Sequence, residues 1–183
     1  MSKKGLIILD IDNTLIDTKI ILNKYKNNYP KPNFTLNKAD ISTLYKKNME
    51  IVPFIKILIY RRPYLAQFLT YIFQHFYVGI WTAANEEWMN IILNKVLKKY
   101  KNKFLFKWHR EHSNPEGKYM KPLRRIFEKY PKFNSFNTLI IDDNYTTTKI
   151  KISHLHIDRF YMIPMPGVSR LPAMYIFSKT RSI

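Results

Sequence analysis

The chain has 183 residues, of which 46% are hydrophobic and 15% aromatic, and this composition indicates a single folded domain rather than a disordered segment. It contains no cysteine, which excludes a disulfide framework, a thiol nucleophile and a cysteine zinc site. Its 31 Lys and Arg residues outnumber its 13 Asp and Glu residues. The resulting net charge of +18 favours a polyanionic partner, such as nucleic acid, an acidic lipid surface or a multiply phosphorylated protein.

The lysine excess has a second explanation, because a chain rich in Lys, Asn, Ile and Tyr with only 4 Gly is typical of an AT-rich genome, such as that of a large DNA virus or a parasite. No apolar stretch reaches the roughly 18 residues that a transmembrane helix needs. Asp10 and Asp12 interrupt the apolar N-terminal segment too early for a signal peptide. We therefore expect a soluble intracellular protein without a membrane partner, in the cytoplasm or nucleus, and in a host cell if the chain is viral.

The first sixty residues contain two predicted strands separated by a polar and basic segment. The run GLIILD, residues 5–10, is short, apolar and rich in isoleucine, and it ends in an acid, which predicts a buried strand. Residues 17–50 are mixed and basic, with a loop predicted at NNYPKPNF and a short helix at NKADISTLYKKN. The run IKILIY, residues 55–60, returns to strand character.

Helices and strands alternate along the rest of the chain. Pro63 starts a predicted helix that extends to Phe76, because apolar residues recur there at helical spacing. A second helix is predicted from Asn85, an N-cap followed by two acids, to about Tyr100, and KKYKNK is interpreted as its solvated end. The other predicted elements are strands at 76–82, 103–108 and 137–142 and a helix at 121–130. This alternation predicts an α/β fold with a parallel sheet and right-handed crossovers.

Three of these predicted strands end in polar residues, which are Asp10, Thr82 and Asp142. In a parallel α/β sheet the ligand lies outside the carboxyl ends of the strands, so these residues are expected to share one site. Asp10 and Asp12 would repel each other unless a cation lies between them or one carboxyl holds a proton. A hard divalent ion such as Mg2+ takes oxygen ligands, and Asp142 and Asp143 would complete its site from a neighbouring strand.

Four short motifs give the chain a resemblance to a known superfamily. LDIDNTL matches the D-x-D-x-T-L signature of haloacid dehalogenase-like (HAD) phosphatases, and WTAA, YMKPL and IIDDN follow in the order of the later motifs of that superfamily. These place Thr82 at the second motif, Lys121 at the third, and Asp142 and Asp143 at the fourth. The contexts RRPYLAQFL, WTAANEEW and YMKPL resemble the FCP/SCP group, the phosphatases of the RNA polymerase II C-terminal domain (CTD). The resemblance covers residues 5–150.

The resemblance implies a HAD-like Rossmannoid parallel sheet flanked by helices, with a small insertion after the first strand and no large cap. We expect one phosphatase domain over residues 1–183, in which 17–60 form an insertion or loop region and 165–183 form a C-terminal extension. The region 17–60 shows no clear counterpart of the small sheet insertion that grips substrate prolines in the group. The chain end lacks the acidic-leucine helix that is usual there.

The resemblance also implies roles for the residues of the first motif. Asp10 would be the nucleophile that takes the phosphoryl group as an aspartyl phosphate. Asp12 would protonate the leaving oxygen and then deprotonate the hydrolytic water, which is general acid and base catalysis by one carboxyl. Thr14 would orient Asp12 rather than react.

Phosphate and metal binding are implied for the later motifs. Thr82, Ala83 and Lys121 would bind the phosphoryl group. Arg110 lies in WHREH, which resembles the FRES stretch of the group, and it would contact a substrate phosphate or backbone, with a surface charge as the alternative. The implied cofactor is Mg2+, and its ligands would be Asp10, the main-chain carbonyl of Asp12, Asp142 and, through water or by positioning the site, Asp143.

Three functions are compatible with these residues. The leading hypothesis is a Mg2+-dependent phosphatase acting on phosphoserine or phosphothreonine in a protein segment, with the RNA polymerase II CTD as a candidate. The alternatives are a phosphatase for a nucleic-acid 3′-phosphate or a nucleotide, which would use the +18 charge directly, and a non-catalytic binding module on a HAD scaffold. The sequence does not indicate an oligomeric state.

Several histidines are interpreted as packing or surface residues. His154 and His156 have no third metal ligand nearby in the sequence. His109 and His112 flank Arg110, and substrate contact is the alternative role for that pair.

Overall fold

The computed structural model describes residues 5–23, 29–113, 120–144 and 153–157. The strands in these ranges are β1 Leu6–Leu9, β2 Ile16–Leu22, β3 Phe34–Thr35, β4 Ile55–Arg61, β5 Tyr77–Trp81, β6 Lys107–Trp108, β7 Thr138–Asp142 and β8 Ser153–His156. The α-helices are α1 Lys38–Leu44, α2 Leu65–His75, α3 Glu86–Lys95 and α4 Arg124–Lys129. Two 3-10 helices span Met49–Phe54 and Arg110–His112.

The main sheet is parallel and has the strand order β6-β5-β1-β7-β8. Its central strand, β1, is buried along its whole length, as expected for a strand covered on both faces. α2 precedes β5, α3 lies between β5 and β6, and α4 lies between β6 and β7. This arrangement confirms the predicted α/β fold class, a parallel sheet flanked by helices.

The side chains of β1 alternate between two apolar layers. Ile7 and Leu9 pack into the layer formed by α2, α3 and apolar residues of the second sheet. Leu6 and Ile8 pack on the opposite face, against Trp81 and the apolar residues of α4. Because both faces are covered, the charged residues that follow β1 leave the core only at the carboxyl edge of the sheet.

The second sheet is a small antiparallel insertion with the strand order β2-β4-β3. The structure here differs from the sequence expectation, which found a strand only at 55–60 in this region. Asp17 and Lys19 interrupt the apolar pattern of β2 and hide the strand from a periodicity argument. In the folded chain Asp17 lies beside Tyr60 of β4 and Lys19 beside Leu58. Nζ of Lys19 forms an ion pair with the carboxylate of Asp17 at 2.9 Å.

Most predicted helices are shorter in the structure. The helix after Pro63 begins only at Leu65, because Tyr64 adopts a left-handed backbone conformation with φ of 60°. α3 ends at Lys95 rather than near Tyr100, and the residues after it form turns. The strand predicted at 103–108 is restricted to Lys107–Trp108, and the helix predicted at 121–130 to Arg124–Lys129. The types of these elements are as predicted, while their ends depend on local turn geometry.

None of the helices in the described ranges combines the length and apolarity needed to cross a membrane. The expected C-terminal extension at 165–183 lies outside the described residues. The backbone of His154 and His156 belongs to β8, which pairs with β7.

Candidate active site

Strand register brings the first and fourth motifs together. Leu9 of β1 lies beside Ile80 of β5 and Ile141 of β7. Asp10 therefore leaves β1 at the level at which Asp142 ends β7, and the second-motif threonine follows β5 at the same edge. This is the carboxyl edge of the parallel sheet, where the sequence predicted the site.

The chain after β1 makes a tight turn. The backbone N–H groups of Leu15 and Ile16 both donate to the carbonyl of Ile11, at 2.8 and 3.2 Å. Asn13 has a φ of 58°, a left-handed conformation that asparagine tolerates better than most residues. The turn holds Asp12 over the sheet edge instead of letting the strand continue.

Arg62 anchors this turn from the end of the insertion. Its Nε donates to the carbonyl of Thr14 at 2.6 Å, and a terminal guanidinium nitrogen donates to the carbonyl of Asn13 at 3.1 Å. Its backbone N–H also donates to the carbonyl of Leu15 at 2.9 Å. In the sequence, Arg62 is recognisable only as part of the RRPYLAQFL context, and no position in the site was predicted for it.

Lys121 lies between two of the carboxylates. Its Nζ is 2.8 Å from Asp10 and 2.7 Å from Asp142, and the residue is only 1% exposed. Burial alone would lower the pKa of this ammonium, but attraction by Asp10 and Asp142 outweighs burial and raises it. Burial raises the pKa of Asp10 to about 7; Lys121 opposes this shift, and Asp142 and Asp12 add to it.

Asp12 is held by two neutral donors. The indole Nε1 of Trp88 donates to one carboxylate oxygen at 2.8 Å, and the hydroxyl of Thr82 donates to the other at 3.3 Å. The Thr82 hydroxyl in turn accepts from the backbone N–H of Ala84 at 3.1 Å. Burial raises the pKa of Asp12, although both donors act in the opposite direction.

Trp88 was not predicted as a site residue. It was interpreted as part of the apolar face of the second predicted helix. In the structure, Asn85 caps α3 by accepting from the backbone N–H of Trp88 at 3.0 Å, and this places the indole beside Asp12. The sequence signal for this contact is a tryptophan about one helical turn after the WTAA motif.

Thr14 contacts a different acid from the one expected. Its hydroxyl accepts from the backbone N–H of Asp143 at 3.0 Å and donates to the carboxylate of Asp143 at 3.4 Å. On the same loop, the backbone N–H of Asn144 donates to Asp142 at 2.8 Å. Thr14 of the first motif therefore contacts Asp143 of the fourth motif. Asp12 is held instead by Trp88 and by Thr82 of the second motif.

The acidic residues fit a hard divalent cation. Asp10, Asp142 and Asp143 each offer a carboxylate oxygen, and these oxygens lie within 4.8 Å of one another. Asp12 adds a fourth carboxylate to this edge, and the ammonium of Lys121 contacts two of the four, Asp10 and Asp142. Carboxylate oxygens are ligands that Mg2+ prefers, so the residues present suit the expected cofactor.

The WHREH stretch, residues 108–112, was predicted to meet substrate, and it forms the rim of the site beside the second motif. Nε of Arg110 donates to the carbonyl of Ala83 at 2.9 Å, and its backbone N–H donates to the carbonyl of Ala84 at 2.8 Å. Arg110 is exposed, whereas the neighbouring His109 is buried 4.0 Å from Glu86. The structure thus brings Ala83 and Arg110 together next to Thr82 and leaves the guanidinium at the surface.

Two viral proteins are similar to this chain in sequence. The CTD phosphatase-like protein 355R of Invertebrate iridescent virus 6 is 34% identical over 152 residues, which cover 75% of this chain and 75% of that relative. The protein of the same name in Invertebrate iridescent virus 3 is 29% identical over 106 residues, which cover 56% of this chain. The match spans about half of that second relative, 49% of its length.

Solved structures of an RNA polymerase II CTD phosphatase, Fcp1, share the fold. The fission yeast enzyme bound to beryllium fluoride has a TM-score of 0.56 and 17% identity, and the match covers 85% of this chain and 42% of that chain. A second Fcp1 structure has a TM-score of 0.56 and 15% identity, with 90% and 44% covered. The sequence profile of the NLI interacting factor-like phosphatases matches residues 5–166. The chain therefore belongs to the NLI interacting factor-like phosphatase family, whose fold is that of HAD phosphatases.

Proposed function

We propose that this protein is a Mg2+-dependent phosphatase that forms an aspartyl phosphate on Asp10. The observation that carries the proposal is a pair of carboxyls at one sheet edge, the buried Asp10 and the half-buried Asp12, which have different partners. Asp10 contacts the ammonium of Lys121, whereas Asp12 contacts the neutral donors Trp88 and Thr82. Two carboxyls in different environments suit two roles, a nucleophile and a proton carrier.

In the first step, a carboxylate oxygen of Asp10 attacks phosphorus, and the bond between phosphorus and the ester oxygen breaks. Asp12 gives its proton to the departing oxygen, so the dephosphorylated product leaves as an alcohol. The raised pKa of Asp12, which burial causes, favours the protonated form that this step needs.

In the second step, Asp12 takes a proton from water, and the oxygen of that water attacks the phosphorus of the aspartyl phosphate. The bond between phosphorus and Asp10 breaks, and inorganic phosphate leaves. Asp12 ends this step protonated and Asp10 ends it as a carboxylate, so both residues return to their starting states.

The barrier to phosphoryl transfer falls mainly through positioning and stabilisation of charge. Lys121 holds a positive charge beside the attacking oxygen of Asp10, where the equatorial phosphoryl oxygens would lie. Thr82 and the main chain of Ala83 border the same space from the side of Asp12. When bound by Asp10, Asp142, Asp143 and the carbonyl of Asp12, Mg2+ supplies further positive charge there.

The proposed substrate is phosphoserine or phosphothreonine in a protein segment, with the RNA polymerase II CTD as the specific candidate. The described activity of Fcp1 and the names of the viral relatives support this class. Arg110 fits this class, because its exposed guanidinium lies beside the second motif, where it would meet a second anionic group of an extended substrate.

Hydrolysis of p-nitrophenyl phosphate tests the chemistry, and it is expected to require Mg2+ and to stop in EDTA. A panel of phosphoserine peptide, phosphothreonine peptide and 3′-phosphorylated oligonucleotide then tests the substrate class. We expect kcat/KM for a peptide to exceed that for the oligonucleotide by about tenfold or more. Faster, salt-sensitive turnover of the oligonucleotide would favour the nucleic-acid alternative. Folded protein that binds phosphate but hydrolyses none of these substrates would favour the binding module.

Replacing Trp88 with phenylalanine keeps an aromatic side chain but removes the indole N–H that donates to Asp12. We expect kcat on a phosphoserine peptide to fall by about tenfold or more, because the serine alkoxide needs the proton that Asp12 delivers. Turnover of p-nitrophenyl phosphate should change by less than about threefold, because nitrophenolate leaves without a proton. The ratio of the two rates is the measurement, and one substrate controls for the other. Equal losses on both substrates would place the effect in the shared hydrolysis of the aspartyl phosphate or in the fold, and would contradict a role of Trp88 in protonating the leaving oxygen.

A further inference from the structure

A row of exposed and half-buried lysines follows the free edge of the main sheet. We call Lys103, Lys107, Lys129 and Lys132 the lysine edge. Lys107 belongs to β6, the outermost strand on this side, and Lys129 ends α4. Lys103 precedes the segment whose Leu105 donates to the carbonyl of Val78 at the start of β5. The lysine edge therefore lies on β6, on the segment that leads into β6 beside β5, and at and after the end of α4.

The members of the lysine edge have no acidic partner among the described residues. Within the ranges that the structure describes, no carboxylate lies within 4.0 Å of any of them. Lys19, Lys46 and Lys95, by contrast, each lie within 2.9 to 3.3 Å of a carboxylate. The positive charge of the lysine edge is therefore not neutralised by a described acid.

Two members of the lysine edge make cation–π contacts with aromatic rings. Nζ of Lys132 lies 3.6 Å from the centre of the Tyr77 ring, and Nζ of Lys129 lies 5.8 Å from the centre of the Trp108 ring. Cation–π contacts restrict the side chains without neutralising their charge. Less conformational entropy is then lost when the ammonium groups bind an anion.

An exposed phenylalanine lies at the amino end of the lysine edge. Phe136 is 96% exposed, more than any other large hydrophobic residue of the described chain. Its turn is braced by Asn137, whose side chain donates to the carbonyl of Lys132 at 2.9 Å, and by Asn134, whose side chain accepts from the backbone N–H of Phe136 at 2.9 Å. The turn therefore fixes the backbone around Phe136 relative to Lys132 and leaves the Phe136 ring exposed to solvent.

Arginines connect the other end of the row to the candidate active site. The Trp108 ring under Lys129 is stacked on His112, with ring centres 5.3 Å apart. Arg125 donates to the carbonyl of His112 at 2.8 Å, and Arg110 lies beyond it on the active-site rim. Two acids occur along this path: Glu128 is paired with Arg124 at 2.7 Å, and Glu111 follows Arg110.

We propose that the lysine edge and Phe136 form a binding surface for single-stranded nucleic acid. The ammonium groups would contact successive phosphates, and the Phe136 ring would stack on a base, the combination by which proteins bind single strands without sequence preference. A phosphorylated peptide would use the lysines but would not need an exposed aromatic ring beside them in the chain. The surface is separate from the catalytic residues, so its test does not depend on the proposed phosphatase activity.

The test is the affinity for a fluorescein-labelled single-stranded oligonucleotide of about 12 nucleotides without a terminal phosphate, measured by anisotropy over a salt series. The triple variant Lys103→Glu/Lys129→Glu/Lys132→Glu is expected to lower affinity by about thirtyfold or more at low salt. It should also reduce the slope of log affinity against log salt by about 2, since each phosphate contact contributes about 0.7 for single strands. Phe136→Ala should lower affinity by about tenfold with the slope unchanged.

Matched variants separate this surface from the net charge of the chain. Lys38→Glu/Lys47→Glu/Lys56→Glu makes the same change of charge at exposed positions of the insertion region and is expected to retain most of the affinity. Tyr71→Ala removes another exposed ring, on α2, and should have no effect. Equal losses from both lysine triples, or no effect of Phe136→Ala, would overturn the proposal. So would a lysine-edge triple that loses only turnover of a phosphopeptide, which would assign the surface to a protein substrate.

Discussion

Replacing Asp10 with asparagine is expected to lower kcat for phosphate-ester hydrolysis by about 10⁴-fold or more. The amide keeps the shape of the side chain and an oxygen that can accept from Lys121, but it is a poor nucleophile and cannot form a stable acyl phosphate. The variant should also be at least as stable as the wild type, because the change removes one negative charge from a crowded acidic cluster. Hydrolysis of p-nitrophenyl phosphate in Mg2+ and unfolding by urea measure the two effects.

Asp40→Asn provides the matched control for this substitution. Asp40 belongs to the capping box of α1 and forms an ion pair with Lys95 at 2.9 Å, away from the carboxyl edge of the main sheet. We expect its kcat to stay within about twofold of the wild type. If Asp10→Asn kept more than about one hundredth of wild-type turnover, a second nucleophile or direct attack by water would be required, and the aspartyl-phosphate mechanism would be wrong.

Replacing Lys121 with methionine is expected to reduce both turnover and stability. Methionine fills a similar volume but removes the ammonium that contacts Asp10 and Asp142 at 2.8 and 2.7 Å. Loss of this preorganised charge should lower kcat by about 10³-fold, as for other groups that stabilise charge in the transition state. Removing one partner of a buried ion pair should also lower the free energy of unfolding by about 3 to 5 kcal/mol.

The stability loss in Lys121→Met should depend on pH in a defined direction. The pKa of Asp10 is raised from 3.8 to about 7 in the folded protein, so its contribution to stability is present below about pH 4 and is lost as the pH rises through 7. Lys121 opposes this shift, and its removal raises the pKa of Asp10 further. In EDTA, the difference in unfolding free energy between variant and wild type is therefore expected to be larger at about pH 8 than at about pH 5.5.

The double variant Lys121→Met/Asp142→Asn separates the two roles of the lysine. It removes the ammonium together with one of the two carboxylates that the ammonium contacts, so much of the stability lost in Lys121→Met should return. Activity should stay low, because the phosphoryl group still lacks the lysine charge and an expected metal ligand is gone. Recovery of turnover together with stability would show that Lys121 acts only on the fold.

Local pattern was sufficient for the three central strands of the main sheet, β1, β5 and β7. Each is a short apolar run, and the polar residue at its carboxyl end is readable from the sequence alone. Parallel strands place their carboxyl ends at one edge, so Asp10 and Asp142 were predicted to meet and do meet, both in contact with Lys121. The roles of these residues follow from the motifs and stay predictions until the variants are measured.

The insertion could not be read in the same way. β2 carries Asp17 and Lys19 within its apolar pattern, and β3 is only two residues long. Both strands form by pairing with β4 and are buried in part by it. Their own residues do not show the apolar pattern that predicts a strand. Strand formation there is a tertiary property rather than a local one.

The sequence by itself determined the order of β1, β5 and β7 and of the helices between them, the polar residues at the strand ends, and therefore which acids reach the carboxyl edge. Only the tertiary structure decided which groups hold those acids. Trp88, 76 positions away from Asp12, donates to it, and Thr14 contacts Asp143, 129 positions away. The physical reason is that spacing along the chain specifies periodicity and strand ends. Hydrogen bonds between distant side chains depend instead on how the crossover helices and the insertion pack against the sheet.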